Sequence, residues 1–316
     1  MNQQGLPFLL SFKVFTQINS SLAGFLRSRL AGSHRTQLND LFGEGKVRVD
    51  GRLGTAEQSL CPEQIVEVTL DQHREEDADL NWRLLWEDAE LMAVYKPHLL
   101  PVSRTTRNLY HTLISLVRRE TPYADARLLH RLDSETAGII LLAKDRAADK
   151  RWKPNLDQLI AKKVYHAWVT GEPEWEQKTV ECELSERLES PIRSQMYVVD
   201  PNERALYPKP KFSRSIFTVI KREQGRSQLR CEIFTGRKHQ IRAHLAHLGY
   251  PIIGDKIYSH QGRYYLRRLD TPLTDEDLQR LGSAYHQLEA TELELSLQEG
   301  ALQLTSAPVI RDLSEE

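Results

Sequence analysis

Three segments carry side chains whose types and spacing suit chemistry. The first is His130-Arg131-Leu132-Asp133-Ser134-Glu135-Thr136-Ala137-Gly138, running into Ile139-Ile140-Leu141-Leu142-Ala143-Lys144. A polar turn feeds directly into a buried apolar strand, and Asp133 sits in that turn. An aspartate there is either a turn or cap residue or a nucleophile. The second is Lys163-Val164-Tyr165-His166-Ala167-Trp168-Val169-Thr170-Gly171. Strand alternation puts Tyr165, Ala167 and Val169 on one face, so Tyr165 lies at the edge of a core or pocket. The third runs from Thr235-Gly236-Arg237-Lys238-His239-Gln240-Ile241-Arg242 to Gly249. Ile241, Leu245 and Leu248 form a helical apolar stripe, with Gly249 just past its end and Pro251 beyond. Arg237 and Lys238 fall near the helix start. Backbone N–H groups already favour anions there, so a phosphate site is expected. His239, His244 and His247 invite a metal reading, but their spacing is not that of HExxH and no cysteine lies near. No metal is expected.

The elements that position these segments can be read from the rest of the chain. With 316 residues, two domains are the first expectation. Hydrophobic residues at 40% and charged residues at 28% exclude a mainly disordered chain. No apolar run is long enough for a transmembrane helix, and Leu6 to Phe12 reads as part of a fold rather than a signal peptide. Three scattered cysteines (Cys61, Cys182 and Cys231) argue against a disulfide scaffold and fit a reducing cytosol. No glycine-rich nucleotide loop is present.

The net charge of −1 hides strong local bias. Arg204–Arg242 holds 11 Lys/Arg against 2 acids, and Asp270–Glu316 holds 11 acids against 2 Arg. Arg27–Arg52 is also basic. Such regions suit a phosphate-rich partner, or are solvated surface.

Residues 20–70 read as a small module. Leu22, Phe25, Leu26 and Leu30 mark one helical face, Leu38, Leu41 and Phe42 a second, and Lys46–Val49 a strand before an Asp50-Gly51 turn. Val66 and Val68 continue the strand pattern. Asp71–Asp79 reads as a linker. Beyond it, apolar strands at Leu91–Tyr95, Ile139–Ala143, Val164–Val169, Leu229–Phe234, Leu293–Leu297 and Ala301–Thr305 alternate with helical stretches. This is an α+β layout with a large mixed or antiparallel sheet.

HRLDSETAGIILLAK, KKVYHAWVTG and FTGRKHQIRAHLAHLGYPIIGDKIY, in this order and with Lys96-Pro97 upstream, resemble the motifs of the RluA-type pseudouridine synthases. The resemblance runs from about residue 80 to near the C-terminus. The helix–turn–strand corner carrying Arg35, Lys46 and Arg48 resembles the alpha-L RNA-binding module. Ala137, Leu99 and Lys238 depart from the family's usual residues.

The resemblance implies a pseudouridine synthase catalytic fold over 76–316 after an N-terminal alpha-L-like module and linker over 1–75. It implies isomerisation of uridine to pseudouridine in ribosomal or transfer RNA, without cofactor or metal. Asp133 matches the catalytic aspartate, Arg237 the arginine that pairs with it, and Tyr165 the active-site tyrosine. Arg131 matches a residue that fills the space the base vacates. Lys238, His239, Gln240 and Arg242 are expected at backbone phosphates or in helix packing. Arg35, Lys46 and Arg48 are expected to bind RNA. The expected partner is RNA, with no membrane, for a cytoplasmic monomer. Two other readings stand beside this one: a non-catalytic RNA-binding or ribosome-assembly factor on the same scaffold, and a cofactor-free glycoside hydrolase using Asp133 with Glu135.

Overall fold

A computed structural model describes residues 8–14, 21–30, 37–71, 75–105, 108, 110–298 and 300–306. Contacts divide them into two compact units. One comprises the described residues of 1–76, 104–110 and 267–272, and the other the rest. This differs from two contiguous domains because two distant segments bond to the end of the first. Asn108 donates to the Glu76 carbonyl at 2.8 Å, and Arg268 pairs with the Glu76 carboxylate at 3.1 Å.

The first unit is a four-stranded antiparallel sheet with two short helices. Its strands are β1 (Phe8–Lys13), β2 (Val47–Val49), β3 (Arg52–Leu53) and β4 (Ile65–Leu70), in the order β1-β4-β2-β3. Helix α1 (Leu22–Arg27) starts where the Ser21 side chain accepts from the Gly24 N–H, and α2 is Leu38–Gly43. Leu22, Phe25, Leu26, Leu30 and Leu38 pack with Val47, Val49, Val66 and Val68 in one core, as their periodicities require. Asp50 and Gly51 both have positive φ, which turns β2 tightly into β3.

The second unit is built on an 11-stranded mixed sheet. Its strands are β5 (Arg83–Glu87), β6 (Leu91–Lys96), β7 (Arg127–Leu128), β8 (Ala137–Ala143), β9 (Ile160–Thr170), β10 (Gln177–Ser185), β11 (Tyr197–Val198), β12 (Lys211–Glu223), β13 (Arg226–Ile233), β14 (Leu288–Leu297) and β15 (Gly300–Thr305). The order is β11-β10-β12-β13-β9-β14-β8-β6-β5, with β15 on β14 and β7 on β8. Helices α3 (Leu113–Glu120), α4 (Arg146–Trp152), α5 (Leu156–Leu159), α6 (Gln240–His247), α7 (Arg263–Asp270) and α8 (Asp275–Leu281) complete the elements, with residues 267–270 of α7 counted in the first unit. The α+β expectation and the large mixed sheet are both met.

Every residue of β6 and β8 is buried, as a central strand covered on both faces demands. Met92, Val94, Ile140 and Leu142 point into one core with Tyr165 and Ala167. Their neighbours Leu91, Ala93, Ile139 and Leu141 point into a second core on the other face.

The only parallel pairing among the described strands joins β14 to β8, at Glu289↔Ala137 and Ala290↔Gly138. Ala290 also pairs with Tyr165 on its other side. One strand therefore separates the start of β8 from Tyr165, about 10 Å of backbone. Gly138 makes this possible. At φ 110°, a Cβ there would stand 2.2 Å from the Ala290 carbonyl oxygen.

Candidate active site

Asp133 occupies the loop between β7 and β8, and this loop is tied down along its length. The His130 Nε2 accepts from the Leu141 N–H at 3.0 Å. Only neutral imidazole can accept, and burial pushes His130 down to about 3. The Thr136 N–H closes a turn onto the Asp133 carbonyl at 3.1 Å. Lys96, fully buried at the end of β6, donates to the carbonyls of Pro97 (2.7 Å), Leu100 (2.9 Å) and Ser134 (2.9 Å). Burial pushes its ammonium down to about 7, while three carbonyl acceptors call for all three N–H donors of the charged form.

A second buried cluster anchors the next residues. Glu135 receives Lys256 Nζ at 2.9 and 3.0 Å and the His286 N–H at 3.0 Å, and Thr136 Oγ1 meets His286 Nε2 at 2.7 Å. Both Glu135 oxygens are thus occupied by protein groups.

The arginine that pairs with Asp133 is Arg242, and this corrects the expectation placed on Arg237. Arg242 Nη1 donates to Asp133 Oδ2 at 2.6 Å. Arg237 is exposed, and its Nε donates to the Phe212 carbonyl at 2.9 Å. The reason lies in the helix start. His239 precedes α6 with φ 54°, so the chain turns sharply there and Arg237 is left on the outer side of the loop. Arg242, three residues inside the eight-residue helix, points into the fold.

Arg242 is held from its other edge by Asp255, a residue that motif reading left unassigned. Nε and Nη2 grip Asp255 Oδ2 and Oδ1 at 2.7 and 2.9 Å. Asp255 is fully buried, and Oδ1 also accepts from the N–H groups of Ile257 (2.9 Å) and Tyr258 (3.1 Å). Gly254 brings it in: at φ 80°, a Cβ there would meet the Tyr285 carbonyl oxygen at 2.0 Å. The guanidinium also lies over the Tyr258 ring, 5.2 Å from its centroid. A signal for Asp255 was present in the GDKIY run, since a buried arginine needs a carboxylate partner.

These contacts set the charge of Asp133. Partial burial acts to raise its pKa. The charges of His239, Arg242 and His286, with the Arg242 hydrogen bond, outweigh that and hold the carboxyl well below the usual carboxylate range. His239 Nε2 is 3.8 Å from Asp133 Oδ2, but burial pushes His239 down to about 4 and His286 well below its ordinary value. At neutral pH both imidazoles are uncharged, and Arg242 is the permanent cation on Asp133. The Asp133 side chain remains 33% exposed, so an ionised carboxylate faces solvent.

Tyr165 projects from β9 into the same region, and its phenol feels the Asp133 charge. Burial, then that charge, raises its pKa well above the ordinary value, so the hydroxyl is protonated.

The residues expected at RNA fall into three groups. Arg131 is exposed and makes no hydrogen bond or ion pair among the described residues. Lys238 is exposed and pairs with Glu186 at 3.1 Å, while His239 also contacts the Tyr258 hydroxyl at 3.2 Å. Gln240 and Arg242 are corrections. Both are buried and satisfied internally, Gln240 by Thr235, the Arg237 N–H, Ser215 and the Arg214 carbonyl. Gln240 is bonded through both amide atoms, and Arg242 is buried between two carboxylates. In the first unit, Lys46 pairs with Asp71 and Arg48 donates to the Gly51 carbonyl at 2.9 Å. Arg35 lies outside the described residues. His244 is spent on Ser213 (2.9 Å) and Ser215 (3.1 Å). Among the described residues there is no group of three or more potential metal ligands, and no helix is long and apolar enough to cross a membrane.

Comparison with known proteins identifies the family. A family profile described as RNA pseudouridylate synthase matches residues 90–247, which carry Asp133, Tyr165 and Arg242. The chain is 30% identical over 194 residues to the dual-specificity RNA pseudouridine synthase RluA of Vibrio parahaemolyticus, covering 59% of this chain and 73% of that protein. It is 29% identical over 286 residues to ribosomal large subunit pseudouridine synthase C of the same organism, covering 84% and 85%. It is 28% identical over 279 residues to ribosomal large subunit pseudouridine synthase D of Pseudomonas aeruginosa, covering 82% and 77%. The fold is similar to that of human RNA pseudouridylate synthase domain containing 1, with a TM-score of 0.57 at 20% identity over 74% of this chain and 86% of that one. The chain belongs to the RNA pseudouridylate synthase family, in its RluA-type branch. It is an RNA pseudouridine synthase, an isomerase whose partner is RNA.

Proposed function

We propose that Asp133 is the catalytic aspartate and that the enzyme acts on ribosomal RNA. The carrying observation is a solvent-facing, ionised carboxylate hydrogen-bonded to a buried arginine in a chain of this family. The reaction breaks the N1–C1′ bond of uridine, turns the uracil and joins C5 to the same C1′. N1 gains a proton and C5 loses one, so atoms and electrons balance within the nucleotide. This chemistry calls for no redox cofactor or energy source. Asp133 attacks the ribose or stabilises its cationic character; both roles need the ionised form that Arg242 favours. Arg242 fixes the carboxylate from one side while Asp255 holds the guanidinium from the other.

Tyr165 stacks on the extruded uracil, and its hydroxyl assists removal of the C5 proton. Arg131, free at the loop surface, fills the space the base leaves. Lys238 and His239 line the entrance, and Lys46, Arg48 and exposed basic residues between 204 and 238 meet backbone phosphates. Ribosomal RNA is favoured by the extent of the relatives. An 84% span leaves too little of the chain uncovered to miss the first 75 residues, whereas the dual-specificity relative matches 59%. We place the enzyme in the cytosol, as a monomer.

The test is tritium release from RNA labelled at uracil C5, isolated from cells lacking the protein. Wild type releases tritium and Asp133→Asn does not, while both retain RNA binding. Equal release by the two would refute the assignment of Asp133. Binding without release by wild type on free RNA and on ribosomal particles would leave an RNA-binding factor.

A further inference from the structure

We propose that Lys163 is an anchor for a phosphodiester of the RNA backbone beside the target uridine; this rests on Asp133 and Tyr165 handling that uridine. Lys163 lies on β9 two residues before Tyr165 and pairs with Ile233 on β13 and Leu293 on β14. The space beside its ammonium is open. A Cβ built on Gly236 would stand 3.9 Å from Lys163 Nζ and meet nothing else within 4 Å. Its charge also reaches His130 at the start of the Asp133 loop. The ammonium therefore stands where the three chemistry-bearing segments come together.

Lys163 differs from the other half-buried or buried cations of the site in having no partner among the described residues. Arg242 binds two carboxylates, Lys256 binds Glu135, Lys96 binds three carbonyls and Lys238 binds Glu186. Lys163 is half-buried yet makes no hydrogen bond or ion pair with a described residue, and Asp157, whose charge it feels, is too far to pair. Burial lowers its pKa, so the fold bears an uncompensated desolvation cost. An anion in the adjoining space would offset that cost.

The test compares wild type, Lys163→Gln and Lys163→Arg as full chains with tritium-labelled RNA from cells lacking the protein. Lys163→Gln is expected to raise apparent KM about tenfold, with turnover at saturating RNA within about twofold. Filter binding to the same RNA, done in the Asp133→Asn background over about 50–200 mM salt, should show a log–log salt slope shallower by about 0.7–0.9. Lys163→Arg should restore both. A purely structural role would lower the melting temperature without moving the slope, and would overturn the proposal. So would a loss of turnover with KM and slope unchanged. If wild type releases tritium while Lys163→Gln matches it in KM and slope, the anchor fails and the catalytic reading stands. If the slope falls in Lys163→Gln but wild type releases no tritium, the anchor stands and the catalytic reading fails.

Discussion

Replacing Arg242 with glutamine tests the centre of the site, because the side chain serves two carboxylates that respond differently. Asp255 is fully buried, and without Arg242 its charge keeps only the N–H groups of Ile257 and Tyr258. Stranding a buried ion this way costs about 3–5 kcal/mol. Arg242→Gln/Asp255→Asn removes both charges and is expected to be more stable than Arg242→Gln alone. Asp133 loses its permanent cation in either variant. His239, down to about 4, and His286, well below its ordinary value, are neutral at pH 7 and do not replace it.

Partial burial then raises the Asp133 pKa with less opposition. A lost neighbouring cation is worth about 1–3 pKa units. The carboxylate is the working form, so activity falls as pH drops through this pKa. The acid limb should move up by about 1–3 pH units in the double variant relative to wild type. At about pH 8, with Asp133 ionised in both, turnover should still be about 10- to 100-fold lower, from one lost charged hydrogen bond of about 1.5–3 kcal/mol. Initial rates of tritium release against pH measure both effects. Arg237→Ala serves as the control and should keep wild-type turnover. A double variant with wild-type rates, or an Arg237→Ala variant with the larger loss, would refute the pairing of Asp133 with Arg242.

Tyr165→Phe keeps the ring and removes the hydroxyl. RNA affinity should stay within about twofold while turnover falls roughly 100-fold or more; an unchanged turnover would reduce Tyr165 to a stacking surface. Gly138→Ala places a methyl 2.2 Å from the Ala290 carbonyl oxygen at a φ of 110°, so the β8–β14 junction must open. Strain and overpacking together cost about 2–5 kcal/mol, which a fall of roughly 10 °C in melting temperature would report. A melting temperature unchanged within a degree or two would show that the junction yields freely.

Elements with one exposed and one buried face were legible in the sequence, because their periodicity is local. Leu22, Phe25 and Leu26 on α1 are the case in point, as are Val66 and Val68 on β4. The alternation that put Tyr165, Ala167 and Val169 on one face is met by their shared core. Strands β10 and β12 were not singled out, since one face of each is rich in charged and polar residues. At the site, Asp133 and Tyr165 could be named from their motifs, but the arginine partner could not be chosen by spacing alone. Arg237 and Arg242 both sit in the third motif. The left-handed turn at His239 sends one outward and the other inward, and a positive φ on a histidine has no sequence signal. For Gln240 and Arg242, phosphate contact and helix packing could not be separated for the same reason: their polarity is visible in sequence, their burial is not.

The choice of arginine at position 242 follows from what its neighbours require. Asp255 presents two oxygens to one edge of the group, and Asp133 presents one to a second direction. A planar guanidinium fills all three at once and remains charged at any working pH. A lysine could reach one carboxylate well but not span both, and burial would pull its pKa down. A histidine would fail for the reason His239 already displays, since burial there leaves the ring neutral near pH 7. Arg242 therefore favours the ionised state of Asp133 with a charge that burial does not remove, and Asp255 is what makes that cation tolerable in the interior.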